Sequence, residues 1–170
     1  MANQDMSNFS MLDLFRMEVE TQAATLNDNL LALETNPNAV TELESLMRAA
    51  HSIKGAARIV QLDAAVQIAH VMEDCFVAAQ NRAIAINSPD QIDLLFQGVD
   101  MLQRISQITE TNAESWLATH QAEIETLVAA IASILHPKAA EPKQKVNRQQ
   151  RQTISSVPPG GTTTGGLPLQ

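Results

Sequence analysis

Apolar residues recur in steps of three and four from Phe9 to about Glu34, at Leu12, Phe15, Val19, Ala23, Leu26, Leu30 and Leu33. That spacing predicts a long amphipathic first helix. Asn36-Pro37-Asn38 ends it, since proline cannot continue the hydrogen-bond ladder and restricts the residue before it. A second helix is expected from about Asn38 to Val60, with Leu43, Leu46, Met47, Ala50, Ile53, Ala57 and Val60 on one face. A turn at Gln61-Leu62 follows, with Asp63 as N-cap of a third helix running to about Ile84 and burying Ala65, Val66, Ala69, Met72 and Phe76. Asn87-Ser88-Pro89-Asp90 is a restart signal, a serine cap followed by proline and an acid in the first turn. The fourth helix then continues to about Ile108, with Ile92, Leu95, Val99, Leu102 and Ile105 inward. Thr111-Asn112-Ala113-Glu114 has capping-box spacing and opens a fifth helix to about Leu135. Its apolar side holds Trp116 or Leu117, His120, Ile124, Leu127, Val128 and Ile131.

Short connections between five helices predict an all-α fold: an up-and-down four-helix bundle with an additional C-terminal fifth helix. The domain is expected over 9–136, after a flexible N-terminus at 1–8. Residues 137–170 read as a disordered, basic, Pro/Gly/Thr-rich linker or tail, because Val157-Pro158-Pro159-Gly160-Gly161 and its surroundings offer too little apolar area to order themselves. Such an ending is expected of a piece of a longer chain, or of a tether to something else.

Composition agrees with helices: no tyrosine, one tryptophan and four phenylalanines stand beside 45% hydrophobic residues, so the core is aliphatic. Met47, Met72 and Met101 are expected to fill it. Residues 1–136 hold 6 Lys and Arg against 18 Asp and Glu, whereas 137–170 hold 5 against 1. An acidic bundle is repelled by phosphate backbones, which excludes nucleic acid as the main partner. No stretch approaches the roughly 20 apolar residues of a membrane span, and no basic leader precedes an apolar run, so a cytoplasmic protein with no membrane partner is expected. The single cysteine, Cys75, falls in an apolar helical pattern and is expected in the core.

The chemistry concentrates at Ala49-Ala50-His51-Ser52-Ile53-Lys54-Gly55. With about 100° per residue and Ala50 at zero, His51 falls at about +100°, Lys54 at about +40° and Gly55 at about +140°. His51 thus stands at the edge of the core face, flanked one turn on by a cation and by a residue without a side chain. A glycine inside a helix costs roughly 1 kcal/mol relative to alanine, so something should offset it, and close approach of another molecule is one candidate. On the third helix His70 and Glu73 have the same offsets from Ala69 that His51 and Lys54 have from Ala50. His51 precedes the turn by about ten residues and His70 follows it by about nine, placing both roughly 15 Å from it. His51, Lys54, His70 and Glu73 are therefore expected to form one cluster.

A neutral imidazole with one free nitrogen is a nucleophile, and a carboxylate on its other N–H fixes the tautomer and stabilises a cationic ring. Nothing near His51 supplies a nucleotide pocket, a phosphate loop or a metal-binding carboxylate pair. His51 would then be an acceptor and donor of phosphate, with catalysis supplied by its partners. The domain would carry no metal or cofactor of its own.

Ala-His-Ser-Ile-Lys-Gly-Ala-Ala followed by His70-x-x-Glu73 resembles the histidine-containing phosphotransfer (HPt) domain, specifically the amino-terminal phosphoacceptor domain of chemotaxis-type (CheA-like) histidine kinases. The resemblance covers about residues 9–136. It implies that His51 takes phosphate from a histidine kinase's ATP-binding domain and passes it to a response-regulator receiver aspartate, in a two-component phosphorelay. It implies further that Lys54 contacts the phosphate, that Gly55 leaves room for it, and that His70 and Glu73 hydrogen-bond and tune the imidazole. The parent chain is then a larger CheA-like or hybrid kinase, the isolated domain a monomer. One departure is Gln61, where many relatives have glycine and a left-handed cap is cheapest.

Competing expectations are a metal-binding bundle using His51, His70 and Glu73, against which the lysine speaks, and a purely structural helical adaptor. His120 and His136 lack a partner pattern and read as structural or exposed. Arg58, one turn beyond Lys54, is either a docking residue for an acidic partner or a plain surface arginine.

Overall fold

A computed structural model describes residues 9–137, and among them every regular element is helical. Ser10 begins the first helix by accepting from the Asp13 N–H while the Asp13 carboxylate takes the Ser10 N–H, a reciprocal cap that starts α1 at Met11–Thr35. The other helices are α2 (Val40–Ile59), α3 (Asp63–Gln80), α4 (Pro89–Ser106) and α5 (Ala113–Ala132), closed by a 3₁₀ turn at Ser133–Leu135. α1 packs on α2 and α4, and α3 packs on α2 and α4, so the four form a closed up-and-down ring. α5 lies outside the ring against α3 and α4 and buries only the stripe Ile124, Leu127 and Ile131.

The core is the expected aliphatic one. Phe15, Val19, Ala23, Leu26, Leu30 and Leu33 of α1 are all buried against Leu46, Ile53, Ile68, Met72, Phe76, Leu95 and Leu102. Each large side chain removed from water stabilises the fold by roughly 1.5–3 kcal/mol. Cys75 is fully buried and donates to the Ile131 carbonyl at 3.6 Å, and burial pushes its thiol up to about 12, so it is a packing residue. Gly98 sits where three helices converge: a Cβ there would lie 2.8 Å from the Met72 Sδ and 3.1 Å from the Ile131 Cδ1. Its lack of a side chain lets α5 approach the ring.

Boundaries depart from the sequence reading at three places. α3 ends at Gln80, four residues earlier than expected, because the chain reverses at Asn81 and Arg82, the latter with φ of 59°. Leu62 occupies the cap of α3 and Asp63 is its first residue. The Thr111/Glu114 capping box does not form; Asn112 is the cap residue of α5, and its side chain instead accepts from the Thr109 N–H at 2.8 Å. By contrast, the Ser88 cap forms as expected, completed by Gln91. Gln61 adopts φ of 59°, the left-handed conformation anticipated for a position where glycine is cheapest. The tails expected at 1–8 and 137–170 fall, but for Pro137, outside the described residues.

Candidate functional site

α2 and α3 leave the Gln61-Leu62 turn side by side and bring three of the expected residues together at mid-height. The His51 ring stands outside the bundle, its side chain 65% exposed, and its Nδ1 lies 2.8 Å from the Glu73 Oε1. The other oxygen of the same carboxylate, Oε2, lies 2.5 Å from the Lys54 ammonium. Glu73 and Lys54 are only 13% and 10% exposed, so a solvated imidazole rests on a nearly dry ion pair. Position explains this: Lys54 projects toward the core face of α2 among Ala50, Ile53 and Ala57, and can be there because Glu73 neutralises it.

Electrostatics fix the tautomer. Burial pushes the Glu73 carboxyl up, but hydrogen bonds from Lys54 and His51, with their charges, outweigh it and hold the group below its ordinary value. Near neutral pH Glu73 is therefore a carboxylate that can only accept, so Nδ1 of His51 carries the hydrogen and donates it. In the neutral ring the lone pair then resides on Nε2, the other nitrogen of a ring open to water. Both Glu73 oxygens are engaged, and among the described residues no three His, Cys, Asp or Glu side chains are grouped to hold a metal ion, which speaks against the metal-binding alternative.

His70 does not join this network as expected. Its Nε2 lies 3.4 Å from the Asp74 Oδ2, one turn on along α3, and among the described residues no hydrogen bond connects it to His51 or Glu73. Lys54 likewise is spent on Glu73 rather than on the open side of the imidazole. Ser52 was not anticipated: its hydroxyl donates to Glu18 of α1, whose carboxylate also accepts from Gln22 at 3.0 Å, tying the residue after His51 to the neighbouring helix. The sequence signal was a polar pair, Glu18 beside Val19 and Ser52 beside Ile53, at the edges of two facing core stripes. His120 stacks on Trp116 at 3.9 Å and bonds its carbonyl, away from α2.

Gly55 keeps helical geometry, and a Cβ built there meets nothing within 4 Å. Nothing among the described residues requires a glycine at that position. Gly55→Ala is accordingly expected to stabilise the bundle by about 1 kcal/mol in urea unfolding, while slowing any reaction in which a macromolecule must close on His51. Unchanged stability, or unchanged rates with macromolecular partners, would contradict this account of the bare position.

A family model described as Hpt domain matches residues 10–134. The chain is 29% identical over 101 residues to the chemotaxis protein CheA of Borreliella burgdorferi, covering 59% of this chain and 12% of that protein. With CheA of Listeria monocytogenes it shares 27% over 129 residues, covering 76% and 20%. It thus spans a fifth or less of the length of these relatives. The solution structure of the histidine phosphotransfer domain of CheA superposes with a TM-score of 0.56 at 28% identity, covering 72% of this chain and 89% of that one. The phosphorylated P1 domain of CheA3, in complex with CheY6 from R. sphaeroides, shares the fold with a TM-score of 0.57 at 22% identity over 73% and 97% of the two chains. Among the described residues no helix is long and apolar enough to cross a membrane.

Proposed function

The chain belongs to the Hpt domain family, and from that premise we propose that it is a phosphorelay domain in which His51 carries the phosphoryl group between a histidine kinase and a response-regulator receiver. One observation carries the reading: Glu73 holds Nδ1 of a ring that is 65% exposed, leaving Nε2 as the free nucleophile. In the first step the Nε2 lone pair attacks the γ-phosphorus of ATP held by the kinase's ATP-binding domain. The P–N bond forms as the bond to the β-phosphate oxygen breaks, and ADP leaves with that electron pair. The ring becomes cationic, and the Glu73 carboxylate on Nδ1–H stabilises it. In the second step a carboxylate oxygen of a receiver aspartate attacks phosphorus, the P–N bond breaks, and its electron pair returns to Nε2.

Within that scheme His51 is the reacting group, Glu73 orients it, and Lys54 keeps Glu73 ionised and in place. His70 and its partner Asp74 lie at the exposed edge of the site. ATP and magnesium belong to the kinase and receiver, and an ATP-fed relay of this kind places the domain in the cytoplasm. By kinship with CheA the parent chain is a chemotaxis-type kinase.

The test is to treat the protein with phosphoramidate, and separately with a histidine kinase ATP-binding domain and ATP, and to follow phosphorus by NMR. Expected is one acid-labile, base-stable phosphoryl group on Nε2 of His51. Failure to form it with either donor, or an acid-stable phosphate on a hydroxyl side chain, would overturn the assignment.

A further inference from the structure

Between residues 9 and 137 six Lys and Arg side chains stand against seventeen Asp and Glu, so a second acidic protein approaching this bundle is repelled. Four of the six cations are already committed: Arg16 to Asp13, Arg48 to Glu44, Lys54 to Glu73 and Arg104 to Glu123. Among the described residues Arg82 and Arg58 have no salt-bridge or side-chain hydrogen-bond partner. Arg82 lies past the end of α3, whose last residue, Gln80, is already about 15 Å along the axis beyond the level of His70. Arg58 is exposed and follows His51 by seven residues on α2, which places it about 20° away around the helix and about 10.5 Å along it. Between them lies Gly55, with open space where a side chain would be. His51, Gly55 and Arg58 thus form one outward ridge: a nucleophile, a notch and an unpaired cation.

Resting on the phosphotransfer reading, we infer that Arg58 is the docking and specificity residue for the receiver, pairing with a carboxylate on the rim of the receiver's acidic acceptor site while Gly55 admits the partner's backbone. Charge complementarity favours the receiver. An acceptor aspartate grouped with the carboxylates that bind its magnesium gives that partner a negative face, which a bundle of net negative charge meets favourably only at an unpaired cation.

The experiment loads wild type, Arg58→Lys and Arg58→Glu with phosphoramidate, a donor too small to need docking. Each phosphoprotein is then mixed with the receiver domain encoded in the same genome that drains wild type fastest, over a range of sodium chloride. Arg58→Glu is expected to lose about tenfold or more in kcat/KM at low salt, through KM with kcat kept, and to show a flatter salt dependence than wild type. Arg58→Lys is expected to retain most of the rate, and loading should be equal in all three proteins. Equal transfer by Arg58→Glu and wild type would overturn the inference while leaving the phosphotransfer reading intact. So would a loss confined to phosphorylation by the kinase domain, which would assign Arg58 to that partner. Wild type that fails to load would overturn the phosphotransfer reading itself, and loaded wild type that no receiver drains would remove the receiver as partner.

Discussion

Phosphoryl incorporation into His51→Gln is expected to fall to background with both phosphoramidate and a kinase domain, while the urea midpoint stays at the wild-type value. The two halves of this expectation have separate physical origins. An amide nitrogen gives its lone pair to the carbonyl and is no nucleophile, so nothing at position 51 can attack phosphorus. The ring itself supplies little stability, because its side chain is 65% exposed and its one polar contact among the described residues is with Glu73, which keeps Lys54 as partner when the ring is gone. Exposed substitutions of this kind typically change stability by no more than about 0.5 kcal/mol. Undiminished acceptance by His51→Gln would move the phosphoryl group to another residue. A large loss of stability would make His51 a structural histidine, as the adaptor alternative requires.

Much of this molecule was legible in its sequence because it is built from long helices whose buried stripes repeat every three or four residues. Of the α1 residues that periodicity names, Phe15, Val19, Ala23, Leu26, Leu30 and Leu33 are buried and Leu12 is partly buried, and the Ser88-Pro89 start of α4 stands where its chemistry put it. The departures share a cause: periodicity gives the direction of a residue around its own axis, not what a flexible side chain reaches across an interface. His70 and Glu73 are about 60° apart on α3, close enough on a wheel to share one seam. In the structure only Glu73, nearer the core face, extends under His51, and His70 is left to its own helix and Asp74. Lys54 was placed correctly on α2, yet its length lets it fold inward to a carboxylate rather than outward to a phosphate. Turn chemistry was the other gap. Asparagine at 112 competes with the Thr111 box through a local bond to Thr109, and two cap candidates one residue apart are hard to rank from composition alone.

The largest stability effect is expected from Glu73→Ala. Lys54 is 10% exposed and lies 2.5 Å from the Glu73 carboxylate; without that partner a nearly buried ammonium has no counter-charge, at a cost of about 3 kcal/mol. A domain stable by about 5–15 kcal/mol survives this folded, with its unfolding midpoint clearly lowered. The double variant Lys54→Met, Glu73→Leu removes both charges and is expected to regain most of the loss, since methionine and leucine suit the dry site that the ion pair occupied. Phosphoryl acceptance should behave differently: slow in Glu73→Ala and just as slow in the stable double variant, because neither offers an acceptor for Nδ1–H of His51. The pH dependence follows from the direction of the Glu73 shift. Its folded value is lowered below the ordinary 4.5 by Lys54 and His51 against the opposing effect of burial, so the unfolded chain takes up the proton first as pH falls. The carboxylate's contribution is therefore complete above the unfolded value and is lost as pH falls through the folded one. Urea curves of wild type and Glu73→Ala should differ most near neutral pH and converge below pH 4.5. A gap that widened on acidification, or a double variant no more stable than Glu73→Ala, would show that the ion pair does not anchor α2 to α3, and the orientation of His51 would then need another source.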